Sequence, residues 1–144
     1  MAESELHLRL KDDASRELQK DGYKIFYEPA FPPLPGVGWS AYRPDLFGQR
    51  DSSDGEDFVL VECETHPSMR KLAVKNSSRI WMQTHISHSD RLRRILVIPP
   101  GSLRRLDLRL REKWEIWIVE DGIFRIPQLR CGNQEPLAPD LEAN

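Results

Sequence analysis

Cysteine is nearly absent from this chain of 144 residues: Cys63 sits inside an apolar run and Cys131 in a polar C-terminal stretch. With no near partner for either, a disulfide framework and a paired-cysteine zinc site are excluded, and both thiols are expected to be reduced. Long apolar runs are missing too. The best of them, Phe58 to Val61 and Ile95 to Pro100, fall far short of the ~20 residues a membrane helix needs. The opening Met-Ala-Glu-Ser-Glu-Leu has neither a basic start nor an apolar stretch, so no secretory signal and no membrane partner are expected, and a cytoplasmic location is the simplest reading. Neither a Gly-rich phosphate loop nor a G-x-S-x-G elbow occurs, which removes the common nucleotide-binding and serine-hydrolase signatures.

What is present suits one globular domain. Hydrophobic residues make up 39% and charged residues 31%, and a chain of this length buries roughly 70% of its unfolded surface. The net charge of −2 hides strong segregation. Residues 1–65 carry 7 basic and 14 acidic side chains, residues 66–113 carry 12 and 3, and residues 114–144 carry 2 and 6. The central block, at +9, is a candidate footprint for a polyanion, because cations that neutralise phosphates release counterions. Solvated helix faces would account for the same arginines.

Leu6, Leu10, Ala14 and Leu18 recur every four residues among charged neighbours, which predicts an amphipathic helix over 3–21 that Gly22 ends. Tyr23 to Glu28 reads as a first strand. Pro29 to Gly38, with four prolines and two glycines, must be a loop. Ala41 to Gly48 suits a second strand, and the polar turn beginning at Asp51 leads into the clearest strand of the chain, Phe58 to Glu64. Its Val59, Val61 and Cys63 share one face, and Leu60, Glu62 and Glu64 the other. His66-Pro67-Ser68 opens a second helix running to about His85, with Met69, Ala73, Ile80 and Trp81 toward the sheet. Arg94 to Pro99 is a fourth strand. Leu103, Leu106 and Leu110 fit a helix capped by Ser102, although Leu106, Leu108 and Leu110 also alternate as in a strand. Glu115 to Val119 and Ile123 to Ile126 form a hairpin at Asp121-Gly122. Trp39, Trp81, Trp114 and Trp117 are expected in the core. Residues 1–126 thus form one α/β domain with a central mixed sheet flanked by helices, and 127–144 a loose polar tail.

Asp45 on the second strand and Glu62 and Glu64 on the third would form one acidic cluster. Carboxylates gathered at the end of a central strand repel unless a cation sits among them, and oxygen-only ligation suits Mg²⁺ or Mn²⁺. The bland account is a surface acidic pair satisfied by lysine or arginine. His85 and His88 have a spacing two zinc ligands could use, without a cysteine or carboxylate nearby. His66 stands next to this cluster, and both it and His7 read equally well as ordinary surface or capping residues. Cys63 between two carboxylates is a poor nucleophile, since negative charge raises a thiol's pKa.

Pro44-Asp45, a short hairpin, Val59-Leu-Val-Glu-Cys-Glu64 and a following helix resemble the signature of the PD-(D/E)XK, or restriction endonuclease-like, nuclease superfamily. The resemblance covers about residues 3–99 and implies an αβββαβ core with a C-terminal helix and strand extension. It implies Asp45 and Glu62 as metal ligands, with the Cys63 carbonyl as a third. The motif lysine is replaced by Glu64, which would serve as a second metal ligand or general base. A lysine from the next helix, Lys71 or Lys75, could replace the missing one, and Glu5 or Glu17 could supply a helical carboxylate. The activity implied is metal-assisted hydrolysis of DNA, by in-line attack of activated water on a polarised phosphodiester. Arg79, Arg91, Arg93, Arg94, Arg104 and Arg105 would hold the backbone. The alternative is a nuclease-like fold without activity, acting as a nucleic-acid-binding or assembly module. By analogy with small nucleases, the stretch from Trp114 to Val119 is a candidate homodimer edge.

Overall fold

The computed structural model describes residues 3–29, 44–53, 55–68 and 91–129. Helix α1 (Glu5–Lys20) begins where the Ser4 side chain accepts from the amide of His7, a standard N-cap that satisfies a free helix donor. It ends at Gly22, whose φ of +94° lets the chain reverse into a left-handed conformation that other residues adopt only at a cost. Leu10, Ala14 and Leu18 are fully buried as their spacing predicts, whereas Leu6 is 40% exposed.

Six strands follow: β1 (Lys24–Tyr27), β2 (Leu46–Ser52), β3 (Gly55–Cys63), β4 (Arg91–Ile98), β5 (Glu115–Val119) and β6 (Ile123–Ile126). They form one mixed sheet in sequence order. The pairs β3·β4 and β4·β5 are parallel, and the other three neighbouring pairs are antiparallel. Parallel neighbours require crossover connections. The helix expected over 66–85, with Trp81, His85 and His88, lies largely outside the described residues, as do Trp39 and the proline-rich loop.

Alternation along the strands separates two cores. On one face, Leu10, Ala14 and Leu18 of α1 cover Val59, Val61, Cys63, Ile95, Val97 and Trp117. On the other, Phe47, Leu60, Leu96, Ile98 and Ile116 pack against Leu106, Leu110 and Trp114 from the β4–β5 crossover. The chain is therefore a mixed α/β fold with a sheet covered on both faces.

Several expectations need correction. The α-helix expected over 103–110 is instead two 3-10 turns, Leu103–Arg105 and Leu108–Glu112. Leu106 between them is extended, at φ −114° and ψ 146°, and Ser102 makes no side-chain cap. Three-residue spacing serves 3-10 geometry as well as α, so the leucines bury either way. Strand β2 starts at Leu46 and runs to Ser52, so Asp45 precedes it, and β3 ends at Cys63, so Glu64 follows it. The expected dimer edge does not exist: Trp114 and Trp117 are fully buried and β5 lies between β4 and β6. Nor is the tail loose at its start, because the Leu129 amide donates to the Arg111 carbonyl and the Gln128 side chain to that of Glu112. Among the described residues, no helix is long and apolar enough to cross a membrane.

Candidate functional site

The carboxyl end of β3 is where the chemistry-bearing groups meet. Register pairs Leu46 with Val61, so one step beyond it Asp45 comes level with Glu62. The Asp45 carboxylate accepts the Cys63 amide at Oδ2, 2.7 Å away, and the Asp45 carbonyl accepts the Glu28 amide at 2.9 Å. Glu28 sits at φ +45°, a left-handed turn off the end of β1 that costs a non-glycine residue some strain. Glu62 is only 2% exposed, on the face opposite α1. Glu64 leaves the strand with its amide on the Val97 carbonyl, 3.0 Å away.

From α1, a residue that sequence reasoning left undecided reaches this same point. His7 Nε2 lies 3.1 Å from the Cys63 carbonyl oxygen and 3.6 Å from Asp45 Oδ1, while Nδ1 pairs with Glu3. Lys11, 3% exposed, joins Glu3 at 2.9 Å to Glu28 at 2.5 Å. Burial alone would lower the Lys11 pKa, but the two carboxylates outweigh it and hold the ammonium charged. The hydrogen bond from Lys11 in turn pulls Glu3 below its ordinary range. The i, i+4 step from His7 to Lys11 was the signal available in the sequence, since both lie on the flank of the buried Leu10–Ala14–Leu18 stripe.

The donors suit a hard cation in kind. A carboxylate oxygen of Asp45 and the Cys63 carbonyl oxygen both lie near one point, and the buried Glu62 is the next acid in register. Among the described residues, no three His, Cys, Asp or Glu side chains are grouped to hold a metal by themselves, so the side chains of Asp45, Glu62 and Glu64 are not gathered into the one acidic cluster expected from the sequence. The Cys63 thiol is buried and free of any disulfide, and its side chain belongs to the apolar core under α1. Glu17 is drawn away by Arg125, 2.7 Å distant, and Glu5 is exposed.

The arginines divide sharply. Arg94, expected on a phosphate-facing surface, is 6% exposed, with its guanidinium 4.1 Å from the Trp114 ring centroid and donating to the Lys113 carbonyl. Arg93 grips Glu115 through two nitrogens, at 2.8 to 3.1 Å, beneath Tyr23. Both are engaged by the protein's own residues, Arg94 buried and Arg93 half-buried, because a strand residue points into whichever layer covers its face. Arg104 is exposed on the crossover. Lys71, Lys75 and Arg79 lie outside the described residues, as do the side chains of Arg91 and Arg105.

No protein-family model matches the chain and no curated protein matches it. Among solved structures, it is similar to an XisH family protein from Nostoc punctiforme, at 15% identity and a TM-score of 0.49, over 81% of this chain and 98% of that one. It is also similar to an fdxN element excision controlling factor protein from Anabaena variabilis, at 15% identity and a TM-score of 0.47, over 85% and 99% of the two chains.

Proposed function

We propose that the protein is a divalent-metal-dependent phosphodiesterase of the PD-(D/E)XK nuclease-like class acting on DNA. The observation that carries this reading is that Asp45 Oδ1 and the Cys63 carbonyl oxygen lie 3.6 and 3.1 Å from one atom, His7 Nε2, at the strand end where Glu62 is buried on the opposite face. Glu62 follows the apolar run Phe58–Val61, and a carboxylate buried there carries a desolvation cost that a fold rarely retains without a use.

In this reading Asp45, Glu62 and the Cys63 carbonyl hold Mg²⁺ or Mn²⁺. Such a cation supplies Lewis-acid polarisation of the scissile phosphate and a lowered pKa for water. Glu64, just past the strand, accepts the proton of the attacking water. The carboxyl ends of parallel strands, as at β3 and β4, are where open α/β sheets bind their ligands. Arg104 and the other exposed cations of the β4–β5 crossover lie on the face to which Glu62 points and would hold the phosphate backbone.

A second reading, a binding or assembly module without activity, draws on the two contacts that already engage Asp45 and on Glu64 standing where a lysine is usual. Incubating the protein with supercoiled plasmid and with branched DNA in Mg²⁺ or Mn²⁺, while measuring DNA binding in parallel, separates the two. Metal-dependent cutting supports the enzyme; binding without cutting supports the module.

A further inference from the structure

His7 occupies a position that none of the roles above explains. Its Nε2 faces the Cys63 carbonyl oxygen at 3.1 Å and Asp45 Oδ1 at 3.6 Å. A carbonyl oxygen can only accept, so Nε2 carries its hydrogen and aims it at both oxygens. The ring nitrogen turned toward the site is thus a donor rather than a metal ligand. Behind it, Nδ1 is tied to Glu3, and Glu3 is tied to the buried Lys11. The ring is fixed from both ends.

We infer that His7 is a built-in plug of the cation site: its Nε2–H fills the approach to the Asp45 and Cys63 oxygens, and the ring must swing away for a divalent cation to enter. This rests on the proposed reading of that strand end as a cation site. Mg²⁺ and Mn²⁺ draw oxygen ligands to about 2.0–2.2 Å and claim the lone pairs that the N–H now uses. Loading then competes with a contact within the protein. The apparent affinity falls by the fraction of molecules in which the ring is already away. The Glu3–Lys11–Glu28 chain sets that fraction, because it anchors the far side of the ring.

The test is calorimetric titration of Mn²⁺ into the wild-type protein, His7→Ala, Glu3→Gln, Asp45→Asn and the His7→Ala/Asp45→Asn double variant. His7→Ala should bind about fivefold tighter or better, with Glu3→Gln between it and wild type, and the gain should vanish in the double variant. Equal or weaker binding by His7→Ala, with Asp45→Asn still abolishing wild-type binding, overturns the plug and leaves the cation site standing. Absence of binding by every variant overturns both. Should His7→Ala lose its helix by circular dichroism, the imidazole resonances of wild-type His7 during a Mg²⁺ titration decide instead. They must move as the cation loads, and a ring signal unchanged at saturation contradicts the inference.

Discussion

Asp45 and Cys63 are locked together where the second strand begins and the third ends: the Cys63 amide donates to Asp45 Oδ2 at 2.7 Å, while the Cys63 carbonyl faces the same histidine as Asp45 Oδ1. The carboxylate therefore has a structural duty as well as the proposed chemical one, and two substitutions divide them. Asp45→Asn keeps an oxygen for the amide and should change urea-derived stability by less than about 1 kcal/mol, whereas Asp45→Ala should cost about 1–2 kcal/mol. Both should lose cutting. A fully stable Asp45→Ala would deny the structural half.

Gly48 is required by close packing rather than by its backbone angles. A Cβ there would lie 2.6 Å from Val59 Cγ1 and 2.8 Å from Ile25 Cδ1, on the face that α1 covers. Gly48→Ala should destabilise the fold by about 1–3 kcal/mol, read as a lower urea midpoint at constant slope.

Arg94 and Arg104 come from the same basic block and should behave oppositely. Arg94→Ala removes a buried guanidinium from Trp114 and should cost about 1–3 kcal/mol in stability, with the salt dependence of DNA binding by the folded protein unchanged. Arg104→Ala should leave stability within about 0.5 kcal/mol and flatten the slope of log affinity against log salt by about one. Filter binding over a salt series reads the difference.

These arginines also mark how far the sequence could be read. Helix α1 was legible from Leu10, Ala14 and Leu18, and β3 from the alternation of Val59, Val61 and Cys63 against Leu60 and Glu62, because each pattern is local and repeats with the period of its element. The hairpin at Asp121-Gly122 was legible for the same reason. Burial of Arg94 was not, since it depends on Trp114 arriving from a crossover twenty residues later. The role of His7 was hidden more deeply. Its partner Cys63 lies 56 residues away, and the local signal, the i, i+4 step from His7 to Lys11, does not point to that partner. The 3-10 turns were misread because leucines three apart satisfy either helix, and a single extended residue, Leu106, decides between them.

Acid should loosen the pair between Glu3 and Lys11 at the start of α1. Glu3 titrates below its ordinary 4.5 in the folded protein, first because Lys11 donates to it. A depressed folded value stabilises the fold above the ordinary value and is lost as pH falls through the folded one. Lys11 is raised, so its contribution is present below its ordinary 10.5 and is lost only as pH rises through the higher folded value. Lys11→Met should lower stability at neutral pH by about 1–3 kcal/mol and flatten the loss between about pH 5 and pH 3. Urea unfolding at stepped pH measures both.

The central claim is that the Asp45, Glu62 and Cys63 end of β3 cuts DNA with a divalent cation. Its most direct test is single-turnover cleavage of plasmid in Mn²⁺ by the wild-type protein, Asp45→Asn and Glu62→Gln, each first shown to be folded. The account predicts metal-dependent cutting by the wild type and a loss of about 10²-fold or more in each variant. Wild-type protein that binds DNA without cutting it, or variants that cut as fast as wild type, would contradict it.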